Sequence, residues 1–172
     1  MADLSGKKYL PMMMDVTEKS ILLIGAGNAC AEKLKTLLSL DMQITVISDS
    51  FLPIFKNNEK FHLIERKYSY GDMQNFDIIY CGINDETERK KIRTEAEEKK
   101  KLINFVDRPL DSDFISASSL IYDNFTIFIS TYGRSPGGAK KIRETLEAKM
   151  SLETLNDEIG EMIRKRNAVQ SY

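Results

Sequence analysis

The feature that most constrains the fold is an apolar run that leads directly into two glycines. Residues 21–24 read Ile-Leu-Leu-Ile, Gly25 and Gly27 follow, and helical spacing of apolar residues runs from Ala29 to Leu40. An unbroken apolar run of this length predicts a buried parallel strand. Strand, glycine turn and helix together form the first half of a dinucleotide-binding βαβ unit. This stretch therefore predicts a Rossmann-like α/β fold.

The glycine loop predicts a cofactor site. We expect Gly25 to make the tight turn and Gly27 to let the backbone approach a pyrophosphate, whose charge the helix N-terminal amides would meet. Cys30 stands where the usual pattern has a third glycine, and it is small enough for close packing of helix on strand. The alternative is an ordinary glycine turn between a buried strand and a helix. The candidate loop comprises Gly25, Ala26, Gly27, Asn28, Ala29 and Cys30.

Three further residues are candidates for the same site. Asp49 lies 24 residues after Gly25, directly beyond a second apolar run at residues 44–47. An acid at this distance binds a ribose hydroxyl and favours NAD over NADP. A further predicted strand at residues 77–82 ends at Gly82 and is followed closely by Asn84. We expect Gly82 and Asn84 to line the cofactor side of the sheet, so NAD is the predicted cofactor.

Strands and helices alternate as far as residue 106. Short apolar runs at 62–65 and 102–106 predict two more strands, and the charged segment 86–101 predicts a solvated helix with i,i+4 ion pairs. Such alternation predicts a mostly parallel sheet with helices on both faces.

The pattern changes after Pro109. Two apolar runs around Asp123-Asn124 predict a β-hairpin. Ser135 as N-cap and Pro136 in the first helical position predict a helix to about Met150, and a second helix follows. We therefore expect a Rossmann domain over residues 1–113, a hairpin-plus-helix segment over 114–150 that dimerises, and a short helical tail over 151–172.

Composition excludes several classes of protein. A net charge of −1 gives no general case for nucleic-acid or membrane-surface binding. Nothing approaches the roughly 20 consecutive apolar residues of a membrane span, and the N-terminus does not resemble a signal peptide. One histidine and two separated cysteines argue against a permanent zinc site. Cys30 and Cys81 fit packing positions in a reducing compartment, so we expect a cytoplasmic protein.

The candidate chemistry centres on Asp107. In open parallel sheets ligands bind beyond the carboxyl ends of the strands, and Asp107 directly follows the predicted strand 102–106. A carboxylate there could act as a general base or hold a cationic ligand. The alternative is an ordinary aspartate in a turn before proline. Basic residues that could bind a carboxylate-rich substrate, unless they are merely solvated, are Arg108, Arg134, Lys140, Lys141 and Arg143.

Several motifs together resemble one family. Tyr9-Leu10-Pro11, then Gly25-Ala26-Gly27, then Ala31-Glu32-Lys33 resemble the siroheme synthase N-terminal family in order and spacing. The later motifs Asn104–Asp107 and Ile129–Pro136 match as well, and the last is more specific than a glycine loop. The resemblance covers about residues 9 to 149.

The resemblance implies a function. Members of that family are precorrin-2 dehydrogenases, and many are also sirohydrochlorin ferrochelatases. For this chain it implies NAD-linked oxidation of precorrin-2 to sirohydrochlorin, with Asp107 as the key acid, ferrous iron as a transient substrate, and a homodimer. The substrate-binding residues expected on this basis are Arg108, Ser130, Thr131 and Arg134.

The chain departs from the family pattern in places. Ala117 replaces a usual proline, Tyr132 a usual glycine, and Ile83-Asn84 a usual Thr-Asp. The region after Met150 is shorter than the family's helical region. Two other functions therefore remain open, a regulatory module that senses NAD and a tetrapyrrole carrier without catalysis. The sensor leaves Asp107 and the Ser130–Pro136 motif without a role.

Overall fold

The computed structural model describes residues 6–38 and 42–170. Along the chain, strands and helices alternate as far as residue 105, except that a loop without a helix joins the third strand to the fourth, and a hairpin and two helices follow. The strands are β1 (Ile21–Ile24), β2 (Ile44–Ser48), β3 (Phe61–Glu65), β4 (Ile78–Cys81), β5 (Leu102–Phe105), β6 (Ser118–Ile121) and β7 (Thr126–Ile129). The helices are α1 (Asn28–Leu38), α2 (Pro53–Lys56), α3 (Glu86–Glu98), α4 (Pro136–Lys149) and α5 (Leu152–Gln170).

The first five strands form one parallel sheet in the order β3-β2-β1-β4-β5. Ile24 pairs in register with Ile47 and with Cys81, and Cys81 pairs with Phe105, so four strands end at one edge. The strand order reverses between β1 and β4. In sheets of this kind the crevice at that reversal is where ligands bind. The predicted Rossmann-like sheet is confirmed.

Two apolar layers bury the sheet. On one face Leu23, Val46 and Tyr80 pack with Cys30 and Leu37 of α1. On the other face side chains of alternate residues in the same strands, among them Leu22 and Ile79, pack with Ile92 and Ala96 of α3. Burial on both faces explains why these strands read as unbroken apolar runs rather than as alternating ones.

Local signals fix the helix that follows β4. The Asp85 carboxylate accepts the Glu88 amide proton at 2.9 Å and so caps the first turn of α3. Glu86 and Glu88 in that turn complement the positive end of the helix dipole. Among the residues of α3, Ile92 and Ala96 are buried, as their spacing predicts.

The second compact unit begins at Ala117, whereas the parallel-sheet unit ends at Ser116. It contains the antiparallel hairpin β6–β7 with α4 and α5, as predicted. At the hairpin turn, the Asn124 amide donates to the Asn156 side-chain oxygen of α5 at 3.0 Å, and the Asn124 side chain donates to the Asn156 carbonyl at 3.1 Å. These contacts hold the hairpin turn on the last helix.

Some predicted ends need correction. α3 ends at Glu98 rather than at residue 101, since the left-handed Lys100 (φ 53°) cannot continue a helix. β5 ends at Phe105 because Val106 and Asp107 enter a turn. The predicted end of α1 at residue 40 lies outside the described residues. No helix among the described residues is long and apolar enough to cross a membrane.

Candidate functional site

The loops at the carboxyl edge of the sheet form the candidate site, and hydrogen bonds to neighbouring strands fix their starts. The Gly25 amide donates to the Ile47 carbonyl at 2.8 Å, and the Gly82 amide donates to the Ile24 carbonyl at 2.8 Å. The Val106 amide donates to the Cys81 carbonyl at 2.9 Å. The loops after β1, β4 and β5 therefore leave the sheet side by side.

The reasons for a glycine at position 25 and at position 27 are different. Gly25 has a φ of +92°, and a Cβ there would lie 3.4 Å from the backbone of Gly82. Glycine is needed at this position by conformation and by space. A Cβ at Gly27 would meet no protein atom within 4 Å, so this glycine faces open space at the start of α1. The chain itself gives no packing reason for a glycine at position 27, whereas an approaching ligand would.

Cys30 performs the packing role predicted for it. Its side chain is 1% exposed, and a Cβ on Gly82 would overlap the Cys30 Sγ. The missing side chain of Gly82 therefore lets the start of α1 close onto the end of β4. Burial, with smaller contributions from the Cys81 thiol and the Asp107 carboxylate, raises the pKa of the Cys30 thiol to about 12. A thiol with this pKa is not a nucleophile at neutral pH.

The other residues of the candidate cofactor loop divide by exposure. Ala26 is 4% exposed and packs in the core, so its backbone alone can face a ligand. Asn28 is exposed and Ala29 is half-buried. The first-turn amides of α1 have no acceptor within the helix. An exposed glycine before free amides suits an anionic phosphate group.

Asp49 and Asn84 are exposed on either side of this loop. Asp49 directly follows β2 on a bend that Ser48 ties down, since the buried Ser48 hydroxyl donates to the Ser50 carbonyl at 2.6 Å. Asn84 lies after β4, and its carbonyl accepts from Arg89 at 3.3 Å. The parallel-sheet unit thus brings together all the predicted cofactor-binding residues, and they fit a dinucleotide.

Asp107 has an unusual backbone. Its φ is +67°, in the left-handed region that few residues other than glycine adopt. The Arg108 amide donates to the Phe105 carbonyl at 2.9 Å, which makes Asp107 the third residue of a β-turn. The side chain is exposed, and within residues 6–38 and 42–170 its carboxylate has no hydrogen-bond or ion-pair partner. Because β5 pairs with β4 and β4 pairs with β1, Asp107 lies at the same edge of the sheet as the glycine loop.

Arg108 lies on the α3 side of this turn. Lys90, which pairs with Glu86 at 3.0 Å, lowers the pKa of the Glu86 carboxyl most, and Arg89 and Arg108 lower it further. A cleft of about 430 Å³ lies between α3 and the segment 105–113. Both acidic and basic side chains line this cleft. Its basic side chains already have partners within the protein; Arg93, for example, pairs with Asp113 at 2.7 Å.

The remaining predicted substrate residues belong to the second unit. Thr131, Tyr132, Gly133 and Arg134 form a turn in which the Arg134 amide donates to the Thr131 carbonyl at 3.0 Å. Tyr132 (φ +56°) and Gly133 (φ +72°) are both left-handed, as a type I′ turn requires. A glycine at position 132, which the resemblance predicts, would suit this backbone better. The Arg134 guanidinium lies 5.5 Å from the centre of the Tyr132 ring.

Hydroxyl groups close this turn onto α4. The Thr131 hydroxyl donates to the Ser135 carbonyl at 2.8 Å, and the Ser130 hydroxyl accepts the Tyr132 amide proton at 3.0 Å. The Ser135 hydroxyl accepts the Gly138 amide proton at 3.1 Å, which confirms the predicted cap. Ser130 and Thr131 therefore have structural partners, and their role toward a substrate stays a prediction.

Sequence reasoning missed one residue of the site. Ser112 is 4% exposed, and its hydroxyl bonds to both ends of the turn that carries Asp107. The polar run Asp111-Ser112-Asp113 after Pro109 marks a turn-rich segment, but nothing in it shows which hydroxyl is buried. Among the described residues no group of three His, Cys, Asp or Glu side chains is arranged to hold a metal ion.

The chain is similar in sequence to known proteins. Residues 12–118 match a family described as putative NAD(P)-binding. The chain is 31% identical over 143 residues to the siroheme synthase of Vesicomyosocius okutanii and 26% identical over 143 residues to that of Zymomonas mobilis. Both alignments cover 81% of this chain, which spans only about a third of those relatives (31% and 30%).

A solved structure has the same fold. The structure of the precorrin-2 dehydrogenase SirC aligns with a TM-score of 0.72 and 21% sequence identity. The alignment covers 83% of this chain and 71% of that one.

Proposed function

We propose that this chain, which belongs to the putative NAD(P)-binding family, is an NAD-dependent dehydrogenase that oxidises precorrin-2 to sirohydrochlorin. The family match contains the whole parallel sheet and every candidate cofactor residue. The resemblance to the siroheme synthase N-terminal family is confirmed by the relatives and by the fold. The observation that carries the proposal is the Asp107 carboxylate, which is exposed at the same edge of the sheet as the glycine loop and has no partner among the described residues.

The cofactor would be held by the chain in three ways. The exposed Gly27 leaves room for the pyrophosphate, and the free amides of α1 would donate to it. Asp49, exposed at the end of β2, would accept from the adenosine ribose hydroxyls and repel the extra phosphate of NADP. When bound, the nicotinamide supplies the acceptor for the hydride that leaves the substrate.

Asp107 would take the proton. Oxidation of a reduced tetrapyrrole removes a hydride and a proton, and the proton needs a base near the cofactor. The Asp107 carboxylate is exposed, has no partner among the described residues, and lies at the cofactor edge. A carboxylate that no described residue engages is available to take this proton.

The substrate is rich in carboxylates and calls for cationic contacts. Arg108 next to Asp107 and Arg134 of the second unit are both exposed and are the residues we assign to it, with Ser130 and Thr131. Insertion of ferrous iron into sirohydrochlorin is a second step that the same base would assist, because pyrrole protons must leave as iron enters. Two buried free thiols favour a cytoplasmic location.

We also propose a homodimer through residues 114–150. The hairpin β6–β7 has two strands only, and its outer face carries Ile121 and Phe128, which are 45% and 52% exposed. An exposed apolar face and unpaired strand edges favour association with another chain, and a second copy of this chain would bury them.

The experiment that tests the function mixes purified protein with precorrin-2 and NAD, and separately with NADP, and follows NADH and sirohydrochlorin absorbance. We expect turnover with a preference for NAD. Binding of precorrin-2 without turnover would identify a carrier, and binding of NAD alone would identify a sensor.

Asp107→Asn is the decisive variant. Asparagine tolerates a positive φ and keeps the shape of the side chain, but it cannot take a proton. We expect turnover to fall by about 10²–10⁴-fold with NAD affinity unchanged. Full activity in Asp107→Asn would end the assignment of this residue as the base.

A further inference from the structure

The turn that carries Asp107 needs support from outside itself. A non-glycine residue at a φ of +67° persists only where its surroundings fix that conformation. Within the turn, one backbone hydrogen bond of 2.9 Å from the Arg108 amide to the Phe105 carbonyl closes the backbone. Because the Asp107 side chain makes no hydrogen bond among the described residues, it does not stabilise its own conformation.

Ser112 supplies that support. Its hydroxyl lies 2.8 Å from the Phe105 nitrogen, 2.9 Å from the Arg108 carbonyl oxygen and 3.3 Å from the Phe105 carbonyl oxygen. A hydroxyl has a single proton to donate. Because the Arg108 carbonyl oxygen is nearer than the Phe105 carbonyl oxygen, the Ser112 hydroxyl donates its hydrogen bond to the Arg108 carbonyl. The hydroxyl oxygen accepts a hydrogen bond from the Phe105 amide. One side chain thus joins the first and last residues of the turn.

The position of Ser112 is fixed by hydrogen bonds and an ion pair of its own backbone and of the next residue. The next residue, Asp113, donates its amide proton to the Ile103 carbonyl at 2.8 Å and accepts the Ile103 amide proton at 3.0 Å. Its carboxylate also pairs with Arg93 of α3 at 2.7 Å. The Lys7 ammonium donates to the Ser112 carbonyl at 3.0 Å. Ser112 therefore connects the turn to β5 and α3, the two elements that Asp113 contacts.

We infer that Ser112 is a positioning residue for the Asp107 carboxylate, acting through the ends of the 105–108 turn. The inference rests on the proposed function, since it gives the turn a geometric task in catalysis. The sheet does not depend on the hydroxyl, because β5 is fixed by its pairing with β4. Loss of the hydroxyl would leave the buried Phe105 amide without its acceptor, and the turn would shift.

The test compares Ser112→Ala with Ile44→Val. Ile44 is 0% exposed at the amino end of β2, whereas the turn follows the carboxyl end of β5, and β1 and β4 lie between these strands, so its truncation lowers stability without touching the turn. For Ser112→Ala we expect kcat to fall by about ten- to a hundredfold, as for a misplaced catalytic group, with KM for NAD unchanged. Ile44→Val, at a similar loss in melting temperature, should keep the parental kcat. If Ser112→Ala does not fold, Ser112→Cys replaces it, because cysteine is close in size but a weak hydrogen-bonding group.

Asp107→Asn, measured alongside, separates the two proposals. If Asp107→Asn is inactive while the Ser112 variant is as active as Ile44→Val, the positioning role is refuted and the proposed function stands. If Asp107→Asn is fully active, the proposed base is refuted, and the positioning role with it. A low kcat in both the Asp107 and the Ser112 variant, with the kcat of Ile44→Val unaffected, is the outcome that the inference requires.

Discussion

At the scale of single residues, the site depends on backbone conformations that few side chains permit. Gly25, Asp107, Tyr132 and Gly133 all have φ values between +56° and +92°. Left-handed conformation costs a non-glycine residue about 1–2 kcal/mol. Asp107 and Tyr132 bear that cost at the two motifs that the family resemblance singles out.

Substitutions of the two glycines in the cofactor loop should have different effects, one mainly on NAD binding and the other mainly on stability. Gly27→Val places a branched side chain in space that holds no protein atom, so it should abolish NAD binding. Because Gly27 also caps α1, the free energy of unfolding should fall by about 1 kcal/mol. Gly25→Ala should cost more stability, since its φ of +92° opposes a side chain and its Cβ would press on Gly82.

Calorimetric titration with NAD and thermal unfolding of both variants test this pair. A Gly27→Val protein that binds NAD as tightly as the parent would place the pyrophosphate elsewhere. A Gly25→Ala protein as stable as the parent would contradict the strained turn.

At the scale of elements, hydrogen bonds and ion pairs fix the loops that join strands to helices. The Arg66 guanidinium pairs with the Asp72 carboxylate through two bonds of 2.6 and 2.8 Å. The Ser69 amide donates to the same carboxylate at 2.8 Å. The loop after β3 is therefore closed by one aspartate, which is largely buried.

This contact predicts how stability depends on pH. The bond from Arg66 lowers the pKa of the Asp72 carboxyl most, and the Ser69 amide lowers it further. Because the pKa in the folded state lies below the ordinary aspartate value of 3.8, the charged form stabilises the fold. Its contribution is fully present above pH 3.8 and is lost as the pH falls through the lowered pKa.

Asp72→Asn removes this dependence. We expect the variant to be less stable than the parent at pH 7 and the difference to shrink as the pH falls below 3.8. Urea unfolding at a series of pH values measures it, with Glu59→Gln, an exposed carboxylate on the surface, as the control. A difference between parent and Asp72→Asn that stays constant down to pH 2 would contradict the assignment.

At the scale of the whole molecule, the chain consists of a parallel-sheet unit and a hairpin–helix unit. All the candidate cofactor residues and Asp107 lie in the first, and Ser130, Thr131 and Arg134 lie in the second. The residues proposed for the cofactor therefore belong to one unit, and those proposed for the substrate are divided between the two.

The proposed homodimer gives a prediction at this scale. Phe128→Lys puts a charge on the apolar outer face of the hairpin and should convert the dimer to a monomer. Ile54→Lys, at a similarly exposed position on α2 of the other unit, should leave the dimer intact. Sedimentation velocity at micromolar concentration distinguishes the two states. A parent chain that sediments as a monomer would count decisively against the dimer.

The sequence by itself determined the order of elements and the edge at which the site lies. Unbroken apolar runs such as residues 21–24 specify strands buried on both faces, and Gly25, Asp85 and Ser135 mark turns and caps locally. Parallel strands meet at their carboxyl ends, so Asp49, Asn84 and Asp107 could be placed together without coordinates. These features depend on residues close in the chain and on general rules of sheet topology.

Only the tertiary structure decided which side chains support the site. The fit of Cys30 against Gly82 joins residues 52 positions apart, and the overlap is visible only once α1 lies on β4. The left-handed backbone of Asp107 and the buried hydroxyl of Ser112 depend on how the segment 105–113 folds back on β5. Burial and hydrogen-bond partners arise only when the chain is packed. They cannot be predicted from a polar stretch such as Asp111-Ser112-Asp113 alone.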